Sequence, residues 1–516
     1  MPNMRRHTMF EVKDVDIMIS TRYLIKSLTF TLNSGDKLAI IGEEGNGKST
    51  LLKSLLGICD YATVTGTIHS KGNRIGYLEQ SYEEENLNKK VFNFLFLDEE
   101  DYYNKIHSLY KKLEILNLND SILEQEMRTL SGGEKVKVGV LKLLLDEYDI
   151  LFLDEPTNDL DIETLEWLET FINQINTPVV YVSHDETLLA NTANMILHLE
   201  QIKKKTDCRY TLLRIDYDTY VSQRLSMIEK QTQVSRFEKR NLDHQMKKLN
   251  QVMNKVHDQQ NTISRSDPHG AQLLKKKMHS LKSQEKKLNN IVLTEMPDVE
   301  EKIHFFFEDV TIPKNKVIIQ LDIPELRIHE KVLSKNIQLD VIGNVHMCII
   351  GKNGVGKTTL IKKIYEELRT RKDIKVGYMP QVYEEVFDDY ETVLDFIAPK
   401  TKDDITKARM YLGNLNFTKE EMEGSLKNLS NGTKAKLFLI QLVLNQCNVL
   451  ILDEPTRNIS PLSNPVIRKV LKDFKGTIIS ISHDRKYIEE VVNQVYLFAE
   501  NGLKKVSKFD ISSKKC

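Results

Sequence analysis

The chain has 516 residues, enough for roughly three or four ordinary domains, with 73 basic and 74 acidic side chains and a formal net charge of −1. That balance excludes a uniformly basic nucleic-acid coat but leaves room for a locally basic one. Forty per cent apolar residues suffice for packed cores, while only 22 Gly and 12 Pro point to long helices rather than a turn-rich all-β architecture.

The five cysteines, Cys59, Cys208, Cys348, Cys447 and Cys516, lie far apart, so neither a zinc site nor a disulfide framework is indicated and a reducing, cytoplasmic setting is expected. The start MPNMRRHTMFEVKDVD lacks the apolar core of a signal peptide, and no run approaches the roughly 18 apolar residues of a membrane span.

In chain order, the first element with chemistry is an apolar strand, Leu38 to Ile41, followed by GEEGNGKST at 42–50 and a helical pattern from Leu51. This is the strand, loop and helix context of a phosphate loop, G-x-x-x-x-G-K-[ST]. Gln80, LSGGE at 130, LFLDEP at 151 and SHD at 183 follow. The same series then recurs: GKNGVGKTT at 351–359, Gln381, LSNGT at 429, LILDEP at 450 and SHD at 482. The phosphate-loop lysines Lys48 and Lys357 are 309 apart, and the later pairs are offset by 301, 299, 299 and 299. A long, nearly constant period means a duplicated α/β domain rather than a solenoid. The expected domains are residues 1–215 and 303–516, joined by 216–302.

The joining segment differs in character. From Asp216 to Thr294 it has one glycine, Gly270, and one proline, Pro268. Leu242, Met246, Leu249, Met253 and Val256 recur at spacings of 4, 3, 4 and 3, with Leu274, Met278, Leu281 and Leu288 in a compatible register. Two such stripes predict an antiparallel coiled-coil hairpin whose first helix, at some 40 residues, reaches about 60 Å, with a tip between Asp258 and Ala271. Between Arg224 and Val292 there are 15 Lys and Arg against 6 Asp and Glu, so this stretch carries +9 and the remainder −10.

Each motif has a chemical reason. A triphosphate needs backbone amides converging where a Cβ would obstruct, which Gly42, Gly45, Gly47, Gly351, Gly354 and Gly356 permit at the positive end of a helix. The candidate nucleotide-binding residues are the whole loops: Gly42, Glu43, Glu44, Gly45, Asn46, Gly47, Lys48, Ser49 and Thr50, then Gly351, Lys352, Asn353, Gly354, Val355, Gly356, Lys357, Thr358 and Thr359. Ser49 and Thr358, with Asp154 and Asp453 at strand ends, suit Mg²⁺; Gln80 and Gln381 join them as candidate metal ligands. Glu155 and Glu454 are placed to polarise an attacking water, and His184 and His483, after further apolar strands, to reach the γ-phosphate. Trp167 and the scattered tyrosines read as core or surface, with Tyr23 the candidate for stacking on adenine.

Phosphate loop, glutamine, LSGGE, LDEP and SHD, in this order in both halves, resemble the ATP-binding cassette superfamily. The resemblance implies that the two cassettes of one chain close on each other around two ATP molecules. One composite site would join Lys48, Asp154 and Glu155 to Ser430 and Gly432; the other would join Lys357, Asp453 and Glu454 to Ser131, Gly132 and Gly133. Two cassettes, no membrane segment and a basic hairpin between them resemble the ABC-F proteins. That resemblance implies a monomeric cytoplasmic ATP hydrolase whose partner is the 70S ribosome. It would enter the tRNA exit site, with the hairpin tip (Thr262, Ser264, Arg265, Ser266, Pro268, His269) near the 23S rRNA of the peptidyl-transferase centre and the tRNA in the peptidyl site. Positive charge on the hairpin fits rRNA independently.

Gly42 to Leu130 spans 88 positions against 78 from Gly351 to Leu429, and this short insertion is similar to that of antibiotic-resistance members. A housekeeping translation factor of the same family is the alternative. A transporter motor subunit would leave the hairpin charge without purpose, and a DNA-linked cassette ATPase would be expected to carry a far longer coiled coil or CxxC pairs. The second copy departs from the family pattern at Asn431 and Thr433, and at EPTRNISPLS, where Ser460 stands for Asp161. Asparagine accepts a positive φ, so the LSNGT loop geometry is expected to persist, with slower turnover at the site that uses it.

Overall fold

Each half is organised by strands that are buried along their whole length, such as Lys37–Gly42, Ile150–Asp154 and Val179–Val182 in the first and His346–Ile350, Val449–Asp453 and Thr477–Ile481 in the second. Strands without a polar face belong in a parallel sheet covered on both sides. The computed structural model describes residues 8–96, 98–202, 207–263, 268–291, 293–294, 311–328, 331–388, 390–397, 402–414 and 417–508.

The first sheet runs Ile75–Leu78, Ile150–Asp154, Val179–Val182, Lys37–Gly42, Met195–Ile202, Asp207–Leu213, all parallel except the last pair. The second repeats the order with Val376–Met379, Val449–Asp453, Thr477–Ile481, His346–Ile350, Gln494–Ala499 and Gly502–Val506. In both, the phosphate-loop strand is flanked by the SHD strand and a later strand. Gly42, Asp154 and Val182 therefore end side by side at the carboxyl edge, where open α/β sheets bind ligands. An antiparallel sheet of three strands (Arg22–Asn33, Thr8–Ile19, Ala62–His69) packs its apolar face with the helix Lys48–Leu56 in one core. Its second-half counterpart has two strands, Val317–Ile328 and Lys331–Ile342.

The chain divides into two units, one of Met1–Tyr217 with Glu300–Cys516 and one of Asp218–Val299. The second unit is a pair of helices: Tyr217–Thr262, 46 residues and so about 69 Å at 1.5 Å per residue, and Pro268–Asn289. Leu249, Val256 and Leu281 are buried between them, with Met253, Leu274, Met278 and Leu288 packed around. Of the tip residues singled out above, Thr262, Pro268 and His269 are exposed; Ser264, Arg265 and Ser266 lie outside the described residues. Among the described residues no helix is long and apolar enough to cross a membrane.

Candidate active site

Both phosphate loops fold back on their own lysine. Lys48 Nζ donates to Gly42 O at 3.0 Å and Glu43 O at 3.2 Å; Lys357 Nζ donates to Gly351 O at 2.7 Å and Lys352 O at 2.8 Å. Burial lowers the pKa of each ammonium, against nearby carboxylates that raise it. Each helix that follows starts just after a left-handed glycine, Gly47 or Gly356, with no side chain capping its amides. Such uncapped amides beside an ammonium favour an anion. Gly45 and Gly354 are exposed, whereas Asn46 and Thr50 turn into the fold, to Leu199 O at 3.1 Å and Tyr61 Oη at 3.3 Å. Their counterparts Val355 and Thr359 are half-buried.

Beside the first loop, Ser49 Oγ donates to Asp154 Oδ1 at 2.9 Å and Tyr77 Oη to Asp154 Oδ2 at 3.2 Å. Beside the second, burial pushes Asp453 up to about 6, offset by the Thr358 hydroxyl and Lys357, and its Oδ2 is buried without a partner. An orphaned carboxylate oxygen next to a hydroxyl is what a hard divalent cation would satisfy, so Thr358 and Asp453 fit Mg²⁺; Ser49 and Asp154 supply the same hydroxyl and carboxylate at the first loop, already hydrogen-bonded to each other. Gln80 instead donates to Glu155 Oε2 at 2.9 Å, and Gln381 lines the cavity at the second loop.

The two glutamates share a backbone and differ in surroundings. Glu155 and Glu454 have φ of 48° and 55°, the left-handed region that is strained for a non-glycine residue and recurs at functional sites. Their N–H groups are held by Val182 O at 3.1 Å and Ile481 O at 3.0 Å, which fixes both at the sheet edge. Burial raises the Glu155 carboxyl, but His184, Lys48 and the Asn158 amide at 2.8 Å outweigh it and hold the group down to about 2. Glu454 is pushed up to about 8 by burial and the Asp453 charge, against one N–H from His483 at 3.2 Å. Most of the difference lies with the histidines, since His184 bonds Glu155 whereas both ring nitrogens of His483 lack a hydrogen-bond partner. A smaller part is that Asn158, an amide donor to Glu155, is replaced by Arg457, which pairs with Asp159 of the first cassette at 2.8 Å. His184 Nε2 lies 3.4 Å from Glu155 Oε1, and His483 Nε2 3.8 Å from Glu454 Oε1. Burial and Lys357 push His483 down to about 3.

The two halves meet at these sites. His184 Nδ1 lies 3.1 Å from Ile459 O, the Asn353 amide donates to Asp159 O, and Glu44 stands against Gly432. The Lys357 site encloses a cavity of 440 Å³ whose wall includes Gly132, Asp159 and His184 of the first cassette with Asn353, Lys357, Thr358, Gln381, Asp453, Glu454 and His483 of the second. Ile328 and Leu333 also line it, and the equivalent Leu24 packs on Gly47. Leu24 directly follows Tyr23, and all three side chains are aliphatic, so a pattern of aromatic residues upstream of the loops does not mark them.

The signature segments start helices at Ser131 and Ser430. Ser131 forms a full capping box with Glu134; in the second copy Thr433 N donates to Ser430 Oγ at 3.3 Å and the two hydroxyls lie 2.8 Å apart, so the cap survives without its carboxylate. The expected positive φ at the third position is not found: Asn431, like Gly132, has ordinary helical backbone. Gly132 is needed for space, since a Cβ there would lie 2.6 Å from Asp159 O. Asp161 caps its own helix, accepting from Thr164 N at 3.0 Å, and its charge is felt by Lys357 and His483. Ser460 accepts from Ser463 N at 3.3 Å in its place.

A profile of the ABC transporter family matches residues 25–158 and 334–457. The ribosome protection protein VmlR of Bacillus subtilis (strain 168) is 28% identical over 516 residues, covering 96% of this chain and 86% of that protein. The ATP-binding protein Uup of Buchnera aphidicola subsp. Acyrthosiphon pisum (strain APS) is 27% identical over 514 residues, covering 96% and 81%. Among solved structures, an archaeal ribosome recycling factor, aABCE1, in complex with the ribosomal stalk protein aP1, superposes with a TM-score of 0.56 at 17% identity, covering 92% of this chain and 88% of that one. That likeness concerns the fold.

Proposed function

The chain belongs to the ATP-binding cassette (ABC transporter) family, in the tandem, ABC-F-like arrangement of its relatives, and on that premise we propose that it is an ATPase that works on the ribosome, closing its cassettes on ATP and reopening after hydrolysis. The observation that carries the ATPase cycle is that each loop faces the signature helix of the other copy: Glu44 meets Gly432, and Gly132 lines the Lys357 cavity. Nucleotide bridging the copies then favours the closed state, which is how a ligand shifts a two-state equilibrium.

In each site the loop amides and Lys48 or Lys357 hold the β and γ phosphates. Ser430 and Gly432, or Ser131, Gly132 and Gly133, close from the opposite copy. Glu155 and Glu454 orient and polarise the attacking water, and His184 and His483 reach the γ-phosphate. Ser49 with Asp154, and Thr358 with Asp453, would hold Mg²⁺, which would supply charge neutralisation for the phosphates. The working domains are residues 1–215, 216–302 and 303–516, with the basic 216–302 segment as a coiled coil against 23S rRNA, in the cytoplasm. Within the ribosome the chain takes the tRNA exit site, its tip approaching the peptidyl-transferase centre and the peptidyl-site tRNA, where it protects translation from antibiotics. Likeness to a protein named for ribosome protection, and the +9 charge of Arg224 to Val292, support this reading.

The test is sedimentation of the Glu155→Gln, Glu454→Gln double variant with ribosomes in ATP at moderate salt. It is expected to co-sediment and to come off as salt rises; a protein left at the top of the gradient refutes ribosome action. Susceptibility of a sensitive host to several large-subunit antibiotics, with and without residues 258–271, tests protection.

A further inference from the structure

The two phosphate loops differ at one position that points across the cassette boundary. Asn353 of the second loop donates its amide to Asp159 O and keeps its Oδ1 3.5 Å from Lys357 Nζ. The first loop has Glu44 there. Its carboxylate lies against Gly432 so closely that a Cβ on that residue would coincide with it. Gly432 is in the first turn of the helix Asn431–Leu444, an end that attracts anions through its free amides and dipole. Glu44 Oε1 is shielded from solvent and has no hydrogen-bond partner. Burial raises its carboxyl; His184, Lys436 and Lys48 favour the charge and Glu155 opposes it. A carboxylate set between the phosphate-loop lysine and the opposing signature helix stands where those elements would otherwise converge on a phosphate. At the other site the same elements wall a 440 Å³ cavity.

We infer that Glu44 is a built-in competitor for the terminal phosphate: it bridges the Lys48 loop to the LSNGT helix, a triphosphate must displace it, and the Lys48 site therefore binds ATP more weakly than the Lys357 site. The inference rests on reading both loops as ATP sites, and it gives the asymmetry between them a specific atom. Amide for carboxylate at this position removes the competing charge without changing the loop backbone, and exchanging the two side chains should exchange the two affinities.

The experiment is calorimetric titration of the full chain with the non-hydrolysable analogue AMP-PNP and Mg²⁺. The wild type should show two sites separated by at least about tenfold, or about 1.4 kcal/mol. Glu44→Gln, and independently Glu44→Asn, should tighten the weak site by at least about tenfold and leave the strong one in place, while Asn353→Glu weakens the strong one. Lys48→Ala should remove the weak site. Equal sites in the wild type, a weak site indifferent to both Glu44 variants, or loss of the strong site in Lys48→Ala would overturn the inference while leaving the ATPase reading intact. Absence of any binding would overturn both.

Discussion

The contact between the two copies behind the nucleotide sites turns on one buried guanidinium. Arg468, 2% exposed, pairs with Glu186 of the other copy, itself 6% exposed, through two donors, and with its own Glu490 at 3.1 Å. Arg485 adds a second bridge to Glu169 and, at 3.2 Å, to Asp185. Replacing Arg468 by Met fills the space but strands the Glu186 carboxylate. Breaking a buried pair in this way costs about 3–5 kcal/mol, equivalent to about two to three and a half decades in a local opening constant at about 1.4 kcal/mol per decade. Glu186→Gln should cost less, because Arg468 keeps Glu490, and the double variant should fall short of the sum by about 2 kcal/mol. A chain of this size need not unfold in one step, so the readout is native-state hydrogen exchange over Glu186–Thr192 and Asn464–Lys472.

The pH dependence has a definite sign. Burial already holds the Glu186 carboxyl above its ordinary range, with Arg468 pulling it down. Without Arg468 it rises further, so the folded state keeps its proton where the unfolded state has lost it. Stability then falls as pH rises through and above the ordinary carboxylate range, and the variant's deficit shrinks on acidification. An increase in exchange below about threefold in Arg468→Met, or strict additivity in the cycle, would refute the argument.

Other expectations follow from single sites. Gly132→Asn, which copies the second signature into the first, forces a Cβ to within 2.6 Å of Asp159 O and should cost about 1–3 kcal/mol by thermal denaturation, whereas Asn431→Gly should be near neutral. Leu281→Ala should cost about 2–5 kcal/mol from the small cluster with Leu249 and Val256, read as faster limited proteolysis within Asp218–Val299. In steady-state phosphate release, Glu454→Gln should remove most of the turnover and Glu155→Gln less, because Glu44 and the LSNGT helix serve the Glu155 site; equal losses would argue against inequality of the sites. Chelation of Mg²⁺ should abolish release without lowering the melting temperature.

Much of this molecule is written locally. A phosphate loop is a contiguous run whose glycines, lysine and hydroxyl act through their own backbone, so Gly42 to Thr50 and Gly351 to Thr359 are readable as residues in order. The helical stripe is readable for the same reason, and its members Leu249, Met253 and Val256 pack into one cluster. The replacement of Glu134 by Thr433 was legible as a departure, and the surviving hydroxyl cap follows from keeping Ser430. What tertiary structure alone decided is which atoms meet across several hundred residues. No spacing rule relates Glu44 to Gly432, Asn353 to Asp159 or Arg468 to Glu186, yet these contacts distinguish two sites with nearly the same motifs. The role of Gly132 was likewise hidden, because its reason is the nearness of a carbonyl and not a backbone angle. Sequence periodicity reports the neighbours a residue has along its own element; the field and space it experiences come from elements the chain brings back from far away.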